Sequence, residues 1–158
     1  MALKPASINQ LKTELKQLPQ QALVELCLRL AKYKLENKEL LNYLLFEAHN
    51  EEDFIKNIEA DIKKQFEDIP RNNSQYLVKK SVRKILRVLN KYIKYSGKKE
   101  TEVELRLFFC RYMKQHINMR YNTTLTNLYE MQIKKIKALV EKLHEDLQYD
   151  FEKELEKL

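Results

Sequence analysis

Apolar residues recur along this chain at spacings of three and four, the period of helices that bury one face. Almost every such run is bracketed by a residue suited to start or stop a helix. Ser7 can cap a first short helix that turns Leu11 and Leu15 inward and ends before Pro19. Pro19 suits the first turn of a second, whose apolar face is Leu23, Leu26, Cys27 and Leu30, and Asn37 can cap a third. Asn50, followed by Glu51, Glu52 and Asp53, is a strong start for a fourth, because carboxylates are stabilised at the positive end of the helix dipole. That helix carries Phe54, Ile55, Ile58, Ile62 and Phe66 inward and stops at Pro70. Ser74 opens a fifth, which runs to a C-terminal glycine at Gly97. Thr101 with Glu104 has the pattern of a capping box for a sixth, and Asn122 to Thr124 open a seventh that meets no later breaker.

Two segments are apolar nearly all round: Leu40, Leu41, Tyr43, Leu44, Leu45 and Phe46 in the third helix, and Leu105, Leu107, Phe108, Phe109, Cys110, Tyr112 and Met113 in the sixth. A helix with no polar face has to be covered on several sides, so these two are the expected central elements, with the amphipathic ones around them. Each follows an amphipathic helix, which hints at a two-fold repeat, although the spacing is too uneven for a solenoid. In the seventh helix the inward positions Leu125, Tyr129, Ile133, Ile136, Val140, Leu143, Leu147, Phe151, Leu155 and Leu158 step at about 3.67 residues, the period of a straight helix. Unbroken over 123–157, it would extend roughly 50 Å, more than the about 40 Å across a compact globule of this length. Its end is therefore expected to overhang, bend or meet a second chain.

Composition sharpens the same picture. Among 158 residues there are one glycine and three prolines, so hairpins and glycine loops are scarce and the expected class is all-α. The expectation is a single domain spanning 1–158, a bundle or short α–α superhelix of about seven helices with a long C-terminal helix. The first residues lack the apolar core of a signal peptide, and no apolar run approaches the roughly 20 residues of a membrane span, so a cytoplasmic protein with no membrane role is expected. Cys27 and Cys110 form no metal-type cluster and are read as buried thiols with structural roles.

Charge is where candidate chemistry enters. From Ile69 to Lys99 there are ten basic residues and no acidic one, whereas the rest of the chain has 20 Lys and Arg against 23 Asp and Glu. On a helical wheel Val78, Val82, Ile85, Leu86, Leu89, Tyr92 and Ile93 cluster on one side of the fifth helix. Lys79, Lys80, Arg83, Lys84, Arg87, Lys91 and Lys94 occupy the other, within an arc of roughly 140°. Lys98 and Lys99 continue the charge past Gly97, Arg71 precedes it, and Arg106, Arg111, Lys114 and Arg120 add to it, with Tyr95, Tyr112 and Tyr121 interleaved. Like charges at spacings of three and four repel by a few tenths of a kcal/mol per pair, a cost that an anionic ligand recovers. Aromatic rings beside basic side chains can stack on unpaired bases, so single-stranded nucleic acid fits as well as duplex. Charge spread over a whole helix touches phosphates and carries no base information.

A different partner is suggested by Glu141, Glu145, Glu152 and Glu156, which form an outward acidic strip on a continuous last helix. The basic and acidic strips pair more readily between molecules than within one, which makes head-to-tail self-association an expectation. Catalysis has little support. One glycine cannot build a P-loop or a dinucleotide fingerprint, and the Glu141/His144 spacing of a carboxylate-bridged metal site has no second pair to complete it. His49 sits at a helix end and His116 is read as a core residue of the sixth helix. No catalytic, cofactor-binding or metal-binding residue is assigned. The leading expectation is a non-catalytic helical protein-interaction or scaffold domain; the alternative is sequence-independent binding of DNA or RNA through the basic helix 75–95.

Overall fold

In a computed structural model, which describes residues 4–70 and 74–158, the chain is all-helical. There are eight α-helices among the described residues: α1 (Ile8–Gln17), α2 (Gln20–Tyr33), α3 (Leu35–Asn42), α4 (Glu51–Glu67), α5 (Gln75–Ser96), α6 (Lys99–His116), α7 (Thr123–Val140) and α8 (Glu145–Glu156). A π-helical turn, Tyr43–Glu47, follows α3. The chain divides into two compact units, Met1–Leu45 and Phe46–Leu158.

In the first unit the helices form near where they are expected, but the burial expected from them does not follow. Ser7 and Gln10 form a reciprocal capping box at the start of α1, and Pro19 precedes α2. Asn37 does not cap α3; it lies within the first turn and donates from its side chain to the Leu30 carbonyl at 2.8 Å. α2 packs against α3, yet none of α1, α2 or α3 has a buried residue. Leu11, Leu15, Leu26, Cys27 and Leu30, all expected inside, are exposed, as are Leu44 and Leu45 of the segment expected to be central, and Phe46 of that segment, the first residue of the second unit. Tyr43 is the one buried side chain of that run. Periodicity names the side of a helix that avoids water; it does not supply the neighbours that cover it.

The second unit has the core, and α6 is at its centre. It packs against α4, α5, α7 and α8, and buries Val103, Leu105, Leu107, Phe109, Cys110 and Met113. α4 contributes Phe54, Ile55, Ile58, Ile62 and Phe66, and α5 contributes Val82, Ile85, Leu89 and Ile93. Phe66 and Phe109 meet at 5.5 Å between ring centroids. Asn50, Ser74 and Asn122 each accept a backbone N–H at the start of α4, α5 and α7. Gly97 ends α5 with φ 66°, the left-handed conformation only glycine adopts without cost.

Thr101 is not a cap. α6 starts two residues earlier, and Thr101 lies buried with its hydroxyl donating to Glu51 Oε1 at 2.7 Å. Ser96 donates to the same oxygen and Lys98 Nζ lies 2.9 Å from Glu51 Oε2, so the first residue of α4 gathers the α5–α6 turn.

The expected single helix over 123–157 is two helices. α7 ends at Val140, and His144 is extended (φ −64°, ψ 148°) before α8 begins. Gln148 fastens the bend by donating to the Leu143 carbonyl at 2.8 Å and the Glu141 carbonyl at 3.3 Å. α8 returns along α6 and α7: Arg111 pairs with Glu154 at 2.8 Å, and Tyr129 donates its hydroxyl to the Leu158 carbonyl at 3.3 Å. The apolar period runs through the bend because Leu143, in the turn itself, is also buried.

Candidate polyanion-binding surface

The core edge of α5 fixes where its cations go. Burial of Val82, Ile85, Leu89 and Ile93 leaves Lys80, Arg83, Lys84, Arg87 and Lys94 exposed on the opposite face, with Lys79 and Lys91 half-buried at its margins. From Lys80 to Lys94 the row extends about 21 Å at about 1.5 Å per residue. Lys98 and Lys99 follow it, exposed, after Gly97.

Two of the nine predicted cations are engaged within the chain. Lys98 pairs with Glu51, and the Lys91 ammonium lies over the rings of Tyr92 and Tyr95, 5.0 and 6.0 Å from their centroids. Among the described residues, Lys79, Lys80, Arg83, Lys84, Arg87, Lys94 and Lys99 have no carboxylate at ion-pair distance. The face is therefore an unneutralised row of positive charge on a rigid support.

α6 adds almost nothing to it, contrary to expectation. Arg106 is buried: Nε donates to Glu102 Oε1 at 2.8 Å, Nη1 to Gln132 Oε1 at 2.6 Å and Nη2 to Asn90 Oδ1 at 3.1 Å. It is an internal tie between α5, α6 and α7. Arg111 is paired with Glu154, and Lys114 donates to the Leu158 carbonyl. Tyr95 is buried, and Tyr112 is stacked between Phe108 and His116 at 4.6 and 5.2 Å. Arg71 lies outside the described residues.

Two exposed aromatics lie near the first turn of α5. Tyr76 is 69% exposed and lies one turn before Lys80, on the same face of α5, a position that charge patterning alone does not single out. The second comes from a tertiary contact: Asn122 Nδ2 donates to Gln75 Oε1 at 2.9 Å, fastening the α6–α7 turn to the first residue of α5. That turn presents Tyr121, 87% exposed, with the Arg120 guanidinium 5.7 Å from its ring centroid.

The acidic strip is divided by the bend. Glu141 caps the end of α7 and Glu145 starts α8; Glu141, Glu152 and Glu156 line a 420 Å³ cavity with Lys137, Val140 and Leu155, and Glu145 does not. His116 is exposed at the C-terminus of α6 and is not a core residue; its Nδ1 is 3.1 Å from the Tyr112 carbonyl. Cys110 is buried, and burial pushes its thiol up to about 12. Burial, then the charge of Glu104, raise the Glu59 carboxyl above its ordinary range, with Arg111 opposing; Glu104 is raised by burial and then by Glu52. Among the described residues no three His, Cys, Asp or Glu side chains are grouped to hold a metal ion, and no helix is long and apolar enough to cross a membrane. No family model, curated protein or solved structure matches the chain.

Proposed function

We propose that this protein binds the phosphate backbone of a nucleic acid, without reading its base sequence, through the outer face of α5. The observation that supports this reading is the row of six cations on α5, continued by Lys99 at the start of α6, that no carboxylate of the described chain neutralises. Repulsion within the row is relieved by a polyanion, and displacement of condensed counterions drives association. Sequence readout is unsupported, because a recognition helix offers polar residues at its N-terminus to base edges, whereas α5 opens Gln75, Tyr76, Leu77, Val78. No step in this role requires catalysis.

The test is a mobility-shift titration with random-sequence nucleic acid over a salt series. Contact by the five most exposed cations of α5 predicts a slope of log K against log salt of about −4 to −5 on duplex. The variant K80E/K84E/R87E/K94E is expected to lose binding while keeping its helical circular dichroism. Binding that survives that variant, or none by the intact chain at low salt, refutes the reading.

A second reading is a protein-interaction or scaffold role, supported by the first unit: Leu30 is 55% exposed, Leu35 70% and Tyr33 77%. Large apolar side chains left in water each forgo roughly 1.5–3 kcal/mol of burial that a docked protein supplies. Under this reading L30K/Y33K abolishes capture of whatever the intact chain retains from lysate, and K80E/K84E/R87E/K94E does not.

A further inference from the structure

We infer that the nucleic acid bound along α5 is single-stranded, with unpaired bases stacking on Tyr76 and Tyr121 at one end of the cationic row. This inference rests on the backbone-binding reading above and names the class of strand it takes.

Within the second unit the other tyrosine rings have partners in the fold. Tyr92 and Tyr95 meet each other edge to face at 6.0 Å and receive Lys91, while Tyr112 is sandwiched between Phe108 and His116. Tyr129 is half-buried and gives its hydroxyl to the Leu158 carbonyl. Tyr149 is exposed, but it is on α8, which packs on α6 and α7, and Lys153 Nζ lies 3.9 Å from its ring centroid. Tyr76 combines exposure with a place on the cationic face of α5, and Tyr121 combines it with a place in the turn tied to the first residue of that helix. Tyr76 follows Gln75 and Tyr121 precedes Asn122, and the Gln75–Asn122 hydrogen bond holds these two neighbourhoods together. The first is in line with Lys80, Arg83 and Arg87; the second has Arg120 against its ring.

The ligand class follows from chemistry. A duplex offers the row its phosphates but keeps the faces of its bases stacked on one another, leaving an exposed phenol ring nothing to stack against. A single strand offers phosphates and free base faces at once, and stacking is tolerant of sequence because every base has a π-face. An acidic protein offers carboxylates along the row and no repeated flat ring at its end. Arg120 suits the same partner, since a guanidinium plane also stacks on a base.

The experiment is fluorescence anisotropy on the full chain with three labelled probes of equal length: an oligothymidylate strand, a random-sequence duplex and an abasic sugar–phosphate strand. The strand is expected to bind more tightly than either of the others at the same salt. Y76A and Y121A are each expected to weaken the oligothymidylate complex by roughly 5- to 100-fold, the equivalent of one lost base stack. Affinity for the duplex and the abasic strand, and the salt slope on all three probes, stays unchanged. Y76F and Y121F retain binding, because the ring and not the hydroxyl is used.

Equal affinity for all three probes, with Y76A/Y121A indistinguishable from the intact chain, overturns the single-strand assignment and leaves the backbone reading standing. Absence of binding to any probe at low salt removes both. Loss of affinity on the abasic strand in Y76A also overturns the inference, since that loss cannot come from a base.

Discussion

Replacing Arg106 by methionine separates the buried cation from the surface ones it resembles in sequence. The guanidinium is 5% exposed as a residue and holds three acceptors on three helices: Glu102, Gln132 and Asn90. Methionine keeps the volume and loses every donor. Gln132, itself 2% exposed, is left with a buried carbonyl oxygen lacking this donor, which costs about 1–3 kcal/mol. The Glu102 pair, 2.7 Å from Nη2 and partly solvated, and the Asn90 bond add to that. A total of about 3–5 kcal/mol is the range for breaking a buried charged network by removing one partner. For a unit of this size that corresponds to a fall in Tm on the order of 10–25 °C. Urea denaturation followed by circular dichroism reads the loss directly, with unchanged m showing that the same surface unfolds. Adding Gln132→Leu to Arg106→Met is expected to recover part of it, because the orphaned amide goes as well. The salt slope of nucleic-acid binding, measured below the melting range, stays the same as in the intact chain. A loss below about 1 kcal/mol would mean that the network does not hold α5, α6 and α7 together, and a reduced salt slope would return Arg106 to the surface.

Other consequences follow from single residues. Gly97→Ala is expected to cost about 1–2 kcal/mol by denaturant melt, all of it backbone conformation, because a Cβ there meets nothing within 4 Å; a cost near zero would show that α5 does not end in the left-handed conformation. Cys27 is expected to react with a thiol reagent in the native state and Cys110 only on unfolding, since the first is exposed and the second is held protonated by burial. A thiol raised to about 12 in the fold against about 8.5 unfolded contributes stability that is intact below the lower value and lost as pH rises through the upper. The gap between native and Cys110→Val stability should narrow over that alkaline window, and a constant gap refutes the assignment. Glu59 and Glu104 are raised by burial, so their carboxyls favour the fold when protonated and oppose it as pH rises from about 4 toward neutrality. Glu59→Gln is expected to be more stable than the native chain at neutral pH and to converge on it in acid; lower stability at neutral pH would contradict this.

Much of the second unit was legible because its signals are local. Asn50 and Ser74 cap the helices assigned to them and Gly97 ends α5, since each satisfies orphan backbone groups within a few residues of itself. Of the wheel's inward set on α5, Val82, Ile85, Leu89 and Ile93 are buried and Val78, Leu86 and Tyr92 half-buried, while Tyr95, outside that set, is buried too. Thr101 misled because its hydroxyl is used across 50 positions, by Glu51, and not by its own helix. The bend at Glu141–His144 was invisible for a related reason: no glycine or proline marks it, and it is set by Gln148 reaching back to two carbonyls.

By itself the chain's order of residues determined that the class is all-α, which edge of α5 avoids water and that its cations lie on the other edge, because all of these depend on a 3.6-residue period and on near neighbours. Tertiary structure alone decided which charges remain available. Arg106, Arg111 and Lys98 belong to the same basic region as Lys80 and Arg87, yet are taken by Gln132 and Asn90, by Glu154 and by Glu51, each from another helix. It also brought Tyr121 beside α5 through Asn122 and Gln75, 47 positions apart. Neutralisation and adjacency across such separations are properties of packed helices, and a wheel drawn for one helix has no coordinate in which to express them.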